Sequence, residues 1–261
     1  MGMIPANLNT MMMGSSIWTP AELFLASEFG AWFDPSDLST LWQDTAGTSA
    51  VTTDGQSVAR IDDKSGNGIN LLQATAGSRP LYKTDGTLHW LQFDGADDMA
   101  SAAMASNIMD GNGTMSASFY TTDSEGIAGI FEERNSDNPA AQERAILYAD
   151  TRAGTQPLAN YKPVFGGTAY RVDYSAENNN LTRATIFTND GSNVRGYDNA
   201  VLIGTTATTD TFSSNTQLHI GQQFTGLPLT GNIYSLFIIE ALISTDSISL
   251  LNNYSSGKAG I

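Results

Sequence analysis

The sequence predicts an all-β fold, an antiparallel jelly-roll sandwich with an N-terminal arm and a short C-terminal helix. Three observations predict it. From about residue 50 to residue 240, short alternating runs sit between turn signals. No long helical periods alternate with those runs, which argues against a parallel α/β sheet. A late run, "GNIYSLFIIEAL", is apolar on both of its faces, as a central strand must be when something covers its outer side.

Taken in order, residues 1–20 read "MGMIPANLNTMMMGSSIWTP", with no charge and no clear period. Met1, Met3, Ile4, Leu8, Met11, Met12, Met13, Ile17 and Trp18 supply the apolar side chains of this arm. Such a stretch either lies along its own domain or docks on a neighbouring subunit, with Met as adaptable filler. The second is expected here. Thr19-Pro20-Ala21-Glu22 then reads as a helix start, with Thr19 as N-cap and Pro20 at the first helical position. The arm and this short helix make a first unit, residues 1–30, and the β domain occupies 31–261. Asp34-Pro35-Ser36 forces a turn.

"PLYKTDGTLHWLQF" predicts a hairpin with Asp85-Gly86 as a two-residue turn, after which His89, Leu91 and Phe93 share one face. A second hairpin centres on Asp190-Gly191. In the late run, alternation puts Ile233, Ser235, Phe237 and Ile239 on one face and Tyr234, Leu236 and Ile238 on the other. Phe93, Phe237 and Ile239 are expected in the core between two sheets. Ser244 caps a C-terminal helix whose Ile248, Leu251 and Tyr254 form a stripe, with Gly257 ending it. That helix and the arm are the expected cover.

Composition limits what the chain does. It has 261 residues and a formal net charge of −15, from 27 Asp and Glu against 12 Lys and Arg. Such a surface repels phosphate backbones and anionic membranes, so neither nucleic acid nor membrane insertion is expected. Cysteine is absent, which excludes disulfides and thiolate metal sites. The first cation is Arg60, so the arm lacks the positive region of a secretory signal, and cytoplasmic synthesis is expected.

Several stretches together resemble a known family. "FDPSDLSTLWQDTAGT", "DDKSGNGINLLQATAGSRPLY" and "LQFDGADDMA" are similar to the opening of laminin-G-like, concanavalin A-like jelly rolls of tailed-bacteriophage virion proteins. "RGYDNAVLIGT", "LHIGQQ" and "LPLTGNIYSLFIIEALISTDSISLLNNYSSGKAGI" resemble its closing strands and terminal helix. The resemblance spans about residue 30 to residue 261 and rests on order and spacing. Two places depart from it. Lys258-Ala259-Gly260-Ile261 stands where relatives often have Lys-Trp-Gly-Ile, and Tyr197-Asp198-Asn199-Ala200 where they have Tyr-Val-Asn-Gly. The resemblance implies a virion structural protein, displayed on capsid or tail, or a glycan-binding module.

Residues with chemistry are few. "FDGADD" places Asp94, Asp97 and Asp98 within five residues, a candidate calcium site because hard cations take several oxygens. The alternative is a tight Asp94-Gly95 turn with Asp97 and Asp98 solvated. No other cofactor is indicated. Glycosidases of related folds carry carboxylates at alternating positions of one strand, facing the sugar together. Glu132 and Glu133 are adjacent instead, so a surface ion-pairing role is expected for them. His89 and His219 sit in apolar strands without a nucleophile beside them and read as structural. No Gly-x-Ser-x-Gly, His-Glu-x-x-His or phosphate-cradling loop occurs. Trp32, Trp42, Trp90, Tyr170 and Tyr174 are candidates to stack on sugars, with core packing as the default.

The functional expectation is therefore a non-enzymatic virion protein, held by its arm, whose partners are other virion proteins, copies of itself and a host-surface glycan. A free carbohydrate-binding module or a degenerate glycosidase is the alternative.

Overall fold

The computed structural model describes residues 18–109, 111–122, 127–135, 144–150, 160–161, 164–165, 168–169, 182–208, 216–223 and 226–261. Within them two antiparallel sheets stack face to face. The smaller sheet has eight strands among the described residues. From one edge these are Val201–Ala207, Asn193–Asp198, Thr182–Asn189, Gly113–Thr121, Thr230–Ile239, His89–Asp94 and Leu81–Thr84. Gly30–Phe33 pairs with the second half of Thr230–Ile239, whose first half pairs with His89–Asp94.

The larger sheet has ten strands among the described residues. At its centre Ile127–Asn135 lies between Arg144–Asp150 and Thr216–Ile220, and the sheet continues through Ala100–Ala103 to Leu41–Trp42. Phe33, Tyr82, Leu91, Phe93, Phe119, Phe131 and Leu218 fill the space between the sheets.

The late run is a central strand whose facing changes along its length. A bulge between Ile233 and Ser235 shifts the register of Thr230–Ile239 against Gly113–Thr121. Alternation restarts there, so Ile233, Leu236 and Ile238 enter the inter-sheet core. Phe237 and Ile239 are fully buried, but on the outer side, in a second apolar cluster. The sequence expectation placed them in the inter-sheet core. An unbroken period of two carries that expectation, and one extra residue reverses it.

The second cluster is roofed by the C-terminal helix, Thr245–Ala259, through Ile248 and Leu251, and by Leu23 and Phe24. Ser244 caps that helix, its side chain accepting from the Ser247 N–H at 3.1 Å. The helix runs past Gly257 and stops at Gly260, whose φ of 74° is the left-handed conformation that glycine adopts without penalty. The first helix is a 3-10 turn, Pro20–Phe24, in which the Glu22 carboxylate accepts from the Thr19 N–H at 3.3 Å.

Both hairpins exist, and the first has a longer turn than the two residues expected. Thr84 pairs with His89 and Asn189 with Val194, so four residues close each loop. In each, the leading aspartate binds the backbone itself. Asp85 accepts from the N–H groups of Thr87 and Leu88, and Asp190 from those of Ser192 and Asn193. At Tyr197-Asp198-Asn199-Ala200, Asn199 and Ala200 take φ of 49° and 61°. The tight left-handed turn survives there without the usual glycine.

Candidate functional site

Three polar constellations stand out from the apolar framework. The first is the acidic cluster. Strand His89–Asp94 ends in a turn at Gly95, where φ is 81° and a Cβ would meet Thr230 Oγ1 at 2.0 Å. This turn folds "DGADD" on itself. Carboxylate oxygens of Asp94, Asp97 and Asp98 lie within 4.8 Å of one another, so the structure brings together all three residues singled out in the sequence. Asp94 and Asp97 are exposed, while Asp98 is only 6% exposed and accepts the Asp94 N–H at 3.0 Å. Ser78 donates its hydroxyl to Asp97 at 2.6 Å. Burial, and the charges of Asp94 and Asp97, push the Asp98 carboxyl up to about 6. Among the described residues no Lys or Arg forms an ion pair with the three. Three converging carboxylate oxygens match the hard donor set of calcium and would leave its remaining positions to water.

The second constellation lies on the larger sheet. Glu132 and Glu133 are both fully buried, not on the surface as the sequence suggested. Their strand is central, hydrogen-bonded to a neighbour along each edge. Adjacent residues still point opposite ways. Glu133 accepts the backbone N–H groups of Ile108 at 2.6 Å and Met109 at 2.8 Å, tying a loop to the end of the core. Glu132 pairs across the sheet with His219, and Arg134 with Gln217. His219 and Arg134 are buried too. Desolvation, with the Arg134 charge second, pulls the His219 imidazole down to about 4, so it is neutral at neutral pH.

The third is centred on Asp34, which is 2% exposed. It accepts from the Ser36 hydroxyl at 2.7 Å, from Tyr254 at 2.7 Å, and from Lys258 at 3.0 Å and Lys64 at 3.4 Å. Burial alone would raise its carboxyl. The donors of Ser36, Tyr254 and Lys258 outweigh that and hold it below the usual carboxylate range. Lys64 also sits 4.5 Å over the Trp32 ring. The Asp-Pro-Ser turn thus locks the C-terminal helix, 220 positions away, to the first strand. Sequence reasoning found the turn but not its partners, because a long-range ion pair leaves no local pattern.

The aromatic candidates divide. Trp32 is buried and stacks on Phe237 with centroids 5.7 Å apart, so it is core. Trp42 donates its indole N–H to Asp62 at 2.7 Å. Trp90 lies against Tyr234, 6.0 Å between centroids. Tyr170 and Tyr174 lie outside the described residues. So do Met1, Met3, Ile4, Leu8, Met11, Met12, Met13 and Ile17 of the arm. Trp18 is described, and it is half-buried against the second apolar cluster of its own domain. His89 bonds the Tyr82 hydroxyl through Nδ1 at 2.6 Å.

No family model and no curated protein matches the chain. A GH54 α-L-arabinofuranosidase aligns over 93% of this chain and 66% of its own, with a TM-score of 0.65 and 14% identity. Domain 4 of AbnA, a GH43 extracellular arabinanase from Geobacillus stearothermophilus in complex with arabinotriose, aligns over 77% of this chain and all of its own, at 0.56 and 13%. The botulinum neurotoxin serotype G binding domain covers 75% of this chain and 49% of its own, at 0.55 and 15%. The chain is an antiparallel jelly-roll β-sandwich. Identities this low establish that fold and nothing finer.

Proposed function

We propose that this chain is a non-catalytic, lectin-like carbohydrate-binding protein of a tailed-bacteriophage virion. The observation that carries the carbohydrate reading is the full-length alignment of a saccharide-bound domain, that of the arabinanase, onto this jelly roll. The carboxylate geometry supports a binding role without turnover. A retaining glycosidase needs two carboxyl groups about 5–5.5 Å apart across a sugar, and an inverting one about 6.5–9.5 Å. Glu132 and Glu133 face opposite ways, and Glu133 is committed to two backbone N–H groups. In the acidic cluster, Asp98 is buried and holds the turn. The placement in a virion draws its support from the sequence resemblance and the uncharged arm. On this reading the protein is made in the host cytoplasm, residues 1–17 anchor it to other virion proteins or to copies of itself, since Trp18, Leu23 and Phe24 pack on their own domain, and the jelly roll faces a host-surface glycan.

A second reading, a glycosidase that has lost its machinery, is favoured by the arabinofuranosidase alignment over 93% of the chain. The acidic cluster would hold calcium in either case. The test joins two assays of the full chain. A glycan array should show saccharide binding, and an antibody should find the protein in sedimented phage particles but not after deletion of residues 2–16. An array without any bound saccharide contradicts the lectin reading. Normal incorporation of the truncated chain contradicts the anchoring role.

A further inference from the structure

The C-terminal helix does more than roof the second apolar cluster. Two adjoining hollows meet along its exposed side. One, of about 550 Å³, is lined by residues that include Ser36, Thr87, His89, Asn253, Tyr254 and Lys258. The other, of about 330 Å³, is lined by Trp18, Leu250, Asn253 and Tyr254. Asn253 and Tyr254 line both, so the two form one cleft with an apolar end and a polar end.

We propose that this cleft between the C-terminal helix and the 85–88 turn binds a neutral oligosaccharide. The inference rests on the carbohydrate reading above and gives it a location. A sugar ring has an apolar C–H face and a hydroxyl-bearing edge. An aromatic surface beside convergent donors and acceptors suits both. Trp18 and Leu250, the latter 38% exposed, supply the first. The Thr87 hydroxyl, the Asn253 amide and the His89 ring supply the second. Asn253 is exposed, and neither its amide nor the Thr87 hydroxyl makes a hydrogen bond among the described residues.

The charge balance selects the class of sugar. Lys258 reaches Asp34 at 3.0 Å, and Lys64 reaches Asp34 at 3.4 Å and Asp37 at 2.7 Å. Two cations are thus matched by two carboxylates at the polar end. No spare positive charge remains for a sialic or uronic acid, and the chain's net charge of −15 repels one. The walls are also fixed in advance. Tyr254 and Lys258 are held on Asp34, and the helix end at Gly260 abuts Leu88. Little ordering is left for the ligand to induce.

The test titrates the full chain with arabinotriose, maltotriose, cellotriose and 3′-sialyllactose while following indole N–H resonances. The wild-type chain should bind at least one neutral trisaccharide and shift the Trp18 signal. Asn253→Trp, which fills the shared wall from an exposed position, should weaken binding more than tenfold at unchanged melting temperature. Asn253→Ala, which only trims that side chain, should weaken it about fivefold and serves if the tryptophan disturbs the helix. Neutral-sugar binding untouched by both variants would remove the cleft and leave the carbohydrate reading standing. Tighter binding of sialyllactose would overturn the neutral class. No binding of any of the four would count against the cleft and the carbohydrate reading together.

Discussion

Asp34 shows how much of this molecule depends on single buried charges. One carboxylate joins a turn, a loop lysine and two side chains of the last helix. Removing it leaves Lys64 and Lys258 without that partner in a site mostly out of water. Deleting one member of a buried pair costs about 3–5 kcal/mol, and the partial exposure of both lysines lowers this. Asp34→Ala is therefore expected to destabilise by about 2–3 kcal/mol, read by denaturant unfolding. His219 sets a pH dependence. Its folded value near 4 lies below the ordinary 6.5, so the unfolded chain takes up the proton first as pH falls. The stability it provides is fully present above pH 6.5 and is lost on descending toward pH 4. Asp98, raised to about 6, slopes the opposite way, so the comparison must be between variants at each pH. Wild type should lose stability relative to His219→Gln between pH 6.5 and 4, by on the order of 2–3 kcal/mol. Parallel curves would show that His219 charges freely in the fold.

At the scale of elements, the sequence was most legible where one local rule acts alone. Thr19 and Ser244 announce helix starts because caps are read within four residues. Asp85 and Asp190 announce turns because their side chains bind backbone two or three positions on. The strand Thr230–Ile239 was legible as central but not in its facing, since the bulge at Tyr234 is decided by pairing with a partner more than a hundred positions away. Glu132 and Glu133 were misjudged for the same reason. Charge suggests a surface, and only tertiary packing over the sheet places them inside. The acidic cluster was legible because its three residues are near neighbours in the chain, whereas the cleft was not, because Trp18, Ser36, His89 and Asn253 come from four separate elements. The C-terminal helix owes its place to the second apolar cluster rather than to its own weak amphipathicity. Leu251 is fully buried there. Leu251→Ala should cost about 3 kcal/mol, and its melting transition should remain cooperative if the helix unfolds with the sandwich.

At the scale of the whole molecule, two sheets share one core and the smaller sheet carries a second core on its back. The fold is thereby three layers deep on one side, and that third layer forms the cleft. The acidic cluster follows from the same architecture, at the corner where a strand of the smaller sheet hands over to one of the larger. Calcium at millimolar concentration should raise the melting temperature of the full chain by several degrees at pH 7, and Asp97→Ala should abolish the rise. An equal rise in Asp97→Ala would place the ion elsewhere. The proposed role is binding of a saccharide without turnover. It is tested most directly by incubating the full chain with the polysaccharide that it retains best and following bound protein and released reducing ends together. Saturable binding and no release above a protein-free control are expected. Release that saturates with substrate and disappears in Glu132→Gln would contradict it.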